Sequence, residues 1–194
     1  MISLRPQDVL VSLKLALHPD QPWAFSRLAN ELGLSASEAH SSIKRAGAAG
    51  LVQLEERRVR ARNLLEFLEH GIQYAFVPSR GPVTRGVPTA HSASPLVQEL
   101  MPGASWVAST PLGKAVSASS PHNAPLDELP MVWAHPNGAI RGESIEPLYP
   151  SAVDAALRDP KLHEGLALVD ALRIERSRER NLALRFLKEL VGVR

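Results

Sequence analysis

A glycine followed by a capping-box pattern constrains this chain more than any other short stretch. Residues 32–52 have the sequence LGLSASEAHSSIKRAGAAGLV. Gly33 suits the positive φ that ends a helix and reverses the chain. Ser35 and Glu38 form the S-x-x-E pattern of a capping box, which starts a new helix. The stretch therefore predicts two short helices that meet across a turn of about three residues.

The second of these helices, predicted over residues 35–50, has two different sides. Its inward side is predicted from small and aliphatic residues spaced by four, three and four positions: Ala39, Ile43, Ala46 and Gly50. Its outward side carries short polar side chains and two cations: Ser37, His40, Ser41, Lys44 and Arg45. Small polar side chains can approach base edges in a major groove, and the cations can reach phosphate or guanine. A helix that only faces water usually carries fewer serines.

Other elements are predicted on both sides of this pair. They are helices over residues 6–17, 24–32 and 64–70 and strands over residues 51–54 and 59–61. The last helix is predicted from a second capping-box pattern, formed by Asn63 and Glu66. The two strands form a hairpin that carries or adjoins four arginines: Arg57, Arg58, Arg60 and Arg62.

The segment RLANELGLSASEAHSSIKRAGAAGLV, residues 27–52, resembles the helix-turn-helix of winged-helix transcriptional regulators, the broad MarR- and IclR-like group. The resemblance depends on residues at the positions that this motif uses: Ala29, Gly33, Leu34, Ala39, Ile43 and the AGLV of residues 49–52. It covers about 30 residues strictly, and about 60 with the first helix and the hairpin. It departs at Ser42, Ala46 and Gly47, where bulkier or helix-favouring residues are usual.

The resemblance implies a DNA-binding domain in which the hairpin is the wing. Residues 35–50 are then expected to enter the major groove, with the arginines on the flanking backbone. The expected DNA-binding residues are Ser35, Ser37, His40, Ser41, Lys44, Arg45, Arg57, Arg58, Arg60 and Arg62.

The rest of the chain divides by composition. Residues 78–130 contain 9 Pro, 4 Gly and 8 Ser, which disfavour regular structure and predict a connector. Its first part, residues 78–95, is too rich in proline and glycine for a helix or a central strand. Apolar residues such as Leu96 and Trp106 indicate that part of the connector is packed. Its polar residues are predicted to be ordinary loop residues rather than a ligand site: Thr84, Arg85, Thr89, His91 and Ser92.

Residues 131–194 are predicted to form a β-hairpin and helices. The hairpin spans residues 131–141, and Ser151 and the pair Asp159-Pro160 are expected to begin two helices. Arginines at 173, 176, 178 and 180 alternate with glutamates, which favours a solvated, salt-bridged helix face over DNA contact. The predicted fold is therefore mostly α with small β: a winged helix-turn-helix domain over residues 1–77, a connector over 78–130, and a hairpin with regulatory or interaction helices over 131–194.

Several classes of protein are not expected. The chain has no cysteine, which excludes disulfides and thiolate metal sites and fits a cytoplasmic protein. Charges at Arg5, Asp8 and Lys14 interrupt the first apolar stretch, so neither a signal peptide nor a membrane span is expected there. The histidines lack ligand spacing, and no P-loop, G-x-G-x-x-G or G-x-S-x-G motif is present. We expect no enzyme, no cofactor and no metal.

The sequence favours a sequence-specific DNA-binding transcriptional regulator. We expect it to act as a repressor that occludes a promoter, and to bind double-stranded DNA as a homodimer with half-sites about one helical turn apart. The net charge of +2 gives this expectation little support by itself. The alternative is a protein-interaction module, such as an antitoxin or adaptor, that binds a partner protein through residues 78–194.

Overall fold

The computed structural model describes residues 3–21, 24–56, 58–100, 129–175 and 177–193. The first elements are the helices α1 (Pro6–Leu17), α2 (Phe25–Leu32) and α3 (Ala36–Ala48) and the strands β1 (Val52–Gln53) and β2 (Arg58–Val59). Next come α4 (Ala61–His70), α5 (Ile72–Ala75), β3 (Arg80–Pro88), a 3-10 turn (Ala90–Ser92) and α6 (Leu96–Leu100). The last are β4 (Met131–Ala134), β5 (Ile140–Ile145), α7 (Ala152–Arg158), α8 (Pro160–Ile174) and α9 (Ser177–Val191). The fold is mostly helical with small sheets, as expected.

The turn between α2 and α3 has the predicted conformation. Gly33 adopts a left-handed conformation with φ of 65°, and the Leu34 amide donates to the Ala29 carbonyl over 2.9 Å. The Ser35 hydroxyl accepts from the Glu38 amide over 3.1 Å, and the Glu38 carboxylate accepts from the Ser35 amide over 2.9 Å. The capping box is therefore confirmed.

The inward side of α3 follows the predicted spacing for three of its four residues. Ala39, Ile43 and Ala46 are buried against α1 and α2, whereas Gly50 lies beyond the helix with φ of 76°. Gly47 gives room to the hairpin, because a Cβ there would lie 2.8 Å from Cγ of Leu54.

The hairpin and the helix after it differ from the sequence prediction at their ends. The paired residues are Val52 with Val59 and Gln53 with Arg58, so both strands are shorter than predicted. α4 begins at Ala61, because the Asn63 side chain donates to the Gly50 carbonyl over 2.9 Å and does not cap a helix. Arg62 consequently lies in the first turn of α4.

The prediction that the proline-rich segment lacks a central strand is wrong. β3 is antiparallel to both β4 and β5, and the three strands close into a small barrel. The closure depends on glycine: a Cβ on Gly86 would lie 2.2 Å from the Trp133 carbonyl oxygen, and one on Gly142 would lie 2.0 Å from that of Pro130. Pro82 lies where the register of β3 and β5 is irregular, which accommodates a residue without an amide hydrogen.

The predicted antiparallel hairpin over residues 131–141 is also wrong. β4 and β5 are parallel, with Met131 opposite Glu143 and Val132 opposite Ser144. β4 pairs with the last residues of β3, and β5 pairs with the earlier ones. The chain therefore continues in the same direction after the turn over residues 135–139.

The C-terminal helices complete one core with the N-terminal ones. Asp159 caps α8 by accepting from the amides of Lys161 and Leu162, as Asp159-Pro160 predicts. A continuous apolar cluster joins the N-terminal helices, the barrel and the C-terminal helices; it includes Leu10, Leu13, Ile43, Trp133, Leu166 and Leu187. Within the described ranges, no helix is long and apolar enough to cross a membrane.

Candidate nucleic-acid interface

The outward face of α3 is a stripe of small and polar side chains. Ser37, His40 and Lys44 are exposed and Ser41 is half-buried. They are spaced by three, four and seven positions from Ser37, so they lie on one side of the helix. Ala36 and Ala48 are also exposed, and their small side chains leave the helix backbone accessible to a binding partner.

Glu38 is the one acidic side chain of α3, and it is held by hydrogen bonds. The Ser35 backbone amide, which donates to its carboxylate, lowers the pKa of Glu38 below its ordinary value. The Tyr149 hydroxyl donates to the same carboxylate over 3.3 Å. Glu38 therefore stays bound to its own helix end, and Ser35 serves as the N-cap of α3.

An aromatic contact positions His40. The rings of Phe25 and His40 meet edge to face, with centroids 4.9 Å apart and planes at 74°. Phe25 is 42% exposed at the first residue of α2. Phe25 is not among the residues predicted from the sequence, although its position one helix before an outward-facing histidine is a usable signal.

Arg45 faces α1 and not the outward face of α3, which corrects the expectation for this residue. Its Nε and Nη2 donate to the two carboxylate oxygens of Asp8 over 2.8 and 2.7 Å, and Nη2 lies 3.2 Å from the Ser42 hydroxyl. The hydrogen bond to Asp8 raises the pKa of Arg45. The physical reason is helical geometry, because Arg45 lies about 100° around the helix from Lys44 and three positions after the buried Ser42.

The arginines of the hairpin stay at the surface. Arg58 lies in β2, Arg60 precedes α4 and Arg62 lies in its first turn; all three are exposed. None of them forms a side-chain hydrogen bond or ion pair with another part of the chain that the structure describes. Among the neighbouring acids, Glu56 accepts a hydrogen bond from Gln53, and Glu55 is exposed. Arg57 lies outside the described residues.

Three polar residues of the proline-rich segment have structural partners: Thr89, His91 and Ser92. Thr89 donates to the buried Asp170 over 2.9 Å, and Ser92 accepts from the Met131 amide over 2.8 Å. His91 Nδ1 lies 2.5 Å from a carboxylate oxygen of Glu175. These contacts tie the barrel and the 3-10 turn to α8, so Thr89, His91 and Ser92 are part of the fold.

A buried ionic group that the sequence analysis missed lies in the same region. Asp170 accepts hydrogen bonds from Trp133 Nε1 and Arg173 Nη1, each over 2.6 Å. Burial raises the pKa of Asp170. Arg173 also donates to the carbonyls of Phe76 and Glu146, so this arginine is not on a solvated face. Arg180 likewise donates to carbonyls, those of Leu172 and Glu69.

In the described part of the chain, no group of three or more histidine, aspartate or glutamate side chains could hold a metal ion. Comparison with known proteins finds no match to this chain among protein-family models, curated proteins or solved structures.

Proposed function

We propose that this protein is a sequence-specific DNA-binding transcriptional regulator. In this proposal α1–α4 and the β1–β2 hairpin act as a winged helix-turn-helix, and α3 enters the major groove. The single observation that carries the proposal is the outward face of α3. It combines small residues, two serines, one histidine and one exposed lysine, while its only acid is tied into the capping box.

The residues of α3 make different kinds of contact with DNA in this proposal. Ser37, His40 and Ser41 are short donors and acceptors that suit base edges, and Lys44 reaches guanine or phosphate. The aromatic contact with Phe25 limits the rotamers of His40, which favours a fixed contact over a mobile one. Ser35, whose hydroxyl caps α3, contributes through the position of the helix end.

The arginines after α3 supply the contacts to phosphate. Arg58, Arg60 and Arg62 are exposed within a few residues of one another. Arginine side chains at a wing are attracted by phosphates and by a narrow minor groove. This non-specific attraction adds affinity and salt dependence to the selectivity of α3.

We propose that a homodimer binds two half-sites about one helical turn apart and represses transcription in the cytoplasm by blocking a promoter. The alternative of a partner-protein module that binds through residues 78–194 has less support. The apolar side chains described there belong largely to the core shared with α1 and α3.

A selection experiment tests the proposal. The protein is used to enrich duplexes from a random DNA library, and the affinity for an enriched duplex is measured by fluorescence anisotropy at several salt concentrations. Lys44→Ala is expected to weaken binding roughly tenfold and to reduce the salt slope by about one.

Arg178→Ala serves as the matched control. Arg178 is exposed near the start of α9, whereas Val191 at its other end lines a depression with Arg58, so the control lies about 20 Å along the helix from the hairpin. Its affinity is expected to equal that of the wild type. Failure to enrich any duplex, or equal losses in both variants, would overturn the proposal.

A further inference from the structure

We propose that Arg45 is a positioning residue: its ion pair with Asp8 fixes the orientation of α3, and Arg45 itself does not contact DNA. This inference rests on the proposed function, because it concerns how the DNA-reading face is held. It assigns different roles to two adjacent cations, Lys44 and Arg45.

The ion pair between Arg45 and Asp8 is bidentate. Arg45 Nε donates to Asp8 Oδ2 over 2.8 Å, and Nη2 donates to Oδ1 over 2.7 Å. Oδ2 also accepts from the Arg5 amide over 2.9 Å, which ties the carboxylate to the first turn of α1. Two parallel bonds between planar groups fix rotation as well as distance.

The burial of Asp8 makes this pairing hard to replace. Asp8 has no exposed surface, and the Arg45 side chain is only 20% exposed. An unpaired carboxylate in that position would lose its solvation without compensation. The guanidinium is therefore held at α1, and binding a phosphate instead would leave the buried carboxylate without its charged partner.

The other contacts between α1 and α3 do little to fix the rotation of α3 about its own axis. The inward side of α3 consists largely of small side chains, Ala39, Ser42 and Ala46, with Ile43 as its large apolar residue. Small side chains interlock little and resist rotation about the helix axis weakly. α1 is a rigid reference, since Val9, Leu10 and Leu13 are fully buried in the common core.

Rotation of α3 would move the whole reading face. Lys44 adjoins Arg45 in the sequence, and Ser41 lies one turn before it, so a change in the Asp8–Arg45 contact displaces both. The expected cost is that of about one lost base contact, roughly tenfold to a hundredfold in affinity.

The test uses variants for which positioning and direct contact with phosphate predict opposite results. Arg45→Lys keeps a cation that binds phosphate well but cannot make the bidentate contact to Asp8. Asp8→Asn removes a charge that cannot touch DNA. If Arg45 positions α3, both variants bind an enriched duplex roughly tenfold or more weakly than the wild type, at an unchanged salt slope. The double variant Asp8→Asn/Arg45→Gln is then no weaker than Arg45→Gln alone.

Folding is controlled separately. All affinities are measured at a temperature at which circular dichroism shows each variant to be folded, and Lys44→Gln provides the matched surface variant. Lys44→Gln should lower the salt slope by about one, unlike Arg45→Lys.

Three results would overturn the inference. One is wild-type affinity in Arg45→Lys, and another is tighter binding by Asp8→Asn, because a released arginine would then be contacting phosphate. In both cases the wild type still selects specific DNA, so only the positioning role fails. If the wild type enriches no duplex at all, the proposed function and this inference fail together.

Discussion

Asp159 joins α1 to α8 through one carboxylate. Its Oδ2 accepts from Lys14 Nζ over 2.6 Å and lies 2.8 Å from His18 Nε2, while Oδ1 caps α8. Lys14 Nζ also lies 2.8 Å from a carboxylate oxygen of Glu31 in α2. This group connects α1, α2 and α8, and Lys14 lies about 9 Å along α1 from Asp8.

Replacing Asp159 tests this connection. Asp159→Asn is expected to lower the free energy of unfolding by about 1–2 kcal/mol, since it leaves Lys14 with one carboxylate fewer, while the asparagine side-chain oxygen can still cap α8. Urea unfolding measures the change. Asp154→Asn is the control, because the Asp154 side chain is 64% exposed; its effect should stay within about 0.5 kcal/mol.

The same group predicts a dependence of stability on pH. Burial raises the pKa of Asp159, but hydrogen bonds led by the one from Lys14 outweigh it, so the pKa lies below the ordinary 3.8. For Glu31, hydrogen bonds from Arg27 and Lys14 likewise outweigh burial and lower the pKa below 4.5. A carboxyl whose pKa is lower in the folded state stabilises the protein above its unfolded pKa and loses this effect as pH falls through the folded value.

The free energy of unfolding should therefore decrease as the pH is lowered from about 5 to about 3. The decrease should be smaller in Asp159→Asn than in the wild type, as measured by urea titrations at each pH. Parallel curves for the two proteins would contradict the role assigned to Asp159.

At the scale of single residues, the sequence predicts contacts between residues that are close in the chain better than contacts between residues that are far apart. The Ser35–Glu38 capping box was predictable because both residues lie within one helical turn. Arg45 and Asp8 lie 37 positions apart, and nothing local distinguishes Arg45 from Lys44. Their different environments follow only from the packing of α3 against α1.

At the scale of elements, two residues at the ends of α7 donate hydrogen bonds to the last turn of α2, just before the turn to α3. The Ser151 hydroxyl donates to the Leu32 carbonyl over 2.5 Å, and Arg158 donates to the Glu31 carbonyl over 3.2 Å. These carbonyls belong to the last turn of α2, where intrahelical partners are lacking. Ser151 begins α7 as the sequence predicts, but its hydroxyl caps the end of a different helix.

The barrel was not predictable from local composition. Proline and glycine argue against a strand when each is considered alone. In β3 these residues match specific pairings: the register irregularity contains Pro82, and Gly86 lies where β4 and β5 both pair with β3. A pattern of local preferences contains no information about which strands meet, so the parallel β4–β5 pair was also missed.

Alanine substitutions in the barrel test the need for close backbone approach. In Gly86→Ala the new Cβ would lie 2.2 Å from the Trp133 carbonyl oxygen and 2.7 Å from Cβ of Val132. We expect a loss of about 3 kcal/mol or more in the free energy of unfolding, because backbone must move. Urea unfolding is the measurement.

Gly81→Ala in the same strand is the control. Its Cβ would meet the Ser144 hydroxyl at 2.6 Å and no other atom closer than 3.8 Å, and Gly81 is exposed. Its cost should stay near 1 kcal/mol, since only the Ser144 side chain has to change rotamer, with the loss of its hydrogen bond to the Pro82 carbonyl. Equal stability of Gly86→Ala and the wild type would contradict the described closure of the barrel.

At the scale of the whole molecule, one apolar core connects elements that composition assigned to three parts. α8 is buried along most of its length and contacts α1, α7 and α9. The proposed DNA-reading helix packs against α1, and in its first turn Glu38 accepts a hydrogen bond from the Tyr149 hydroxyl. The sequence predicted the individual helices of this arrangement through periodicity and caps, but their association depends on contacts between distant parts of the chain.

Nuclear magnetic resonance can locate the surface that contacts DNA, by titrating an enriched duplex into isotope-labelled protein and following each backbone amide. If the outward face of α3 and the arginines after it bind DNA, the largest shifts are expected at Ser37–Lys44 and at residues 58–62, with small shifts around the exposed Tyr74 and Val77. Largest shifts at Tyr74 and Val77, or none on α3, would contradict DNA binding by this surface.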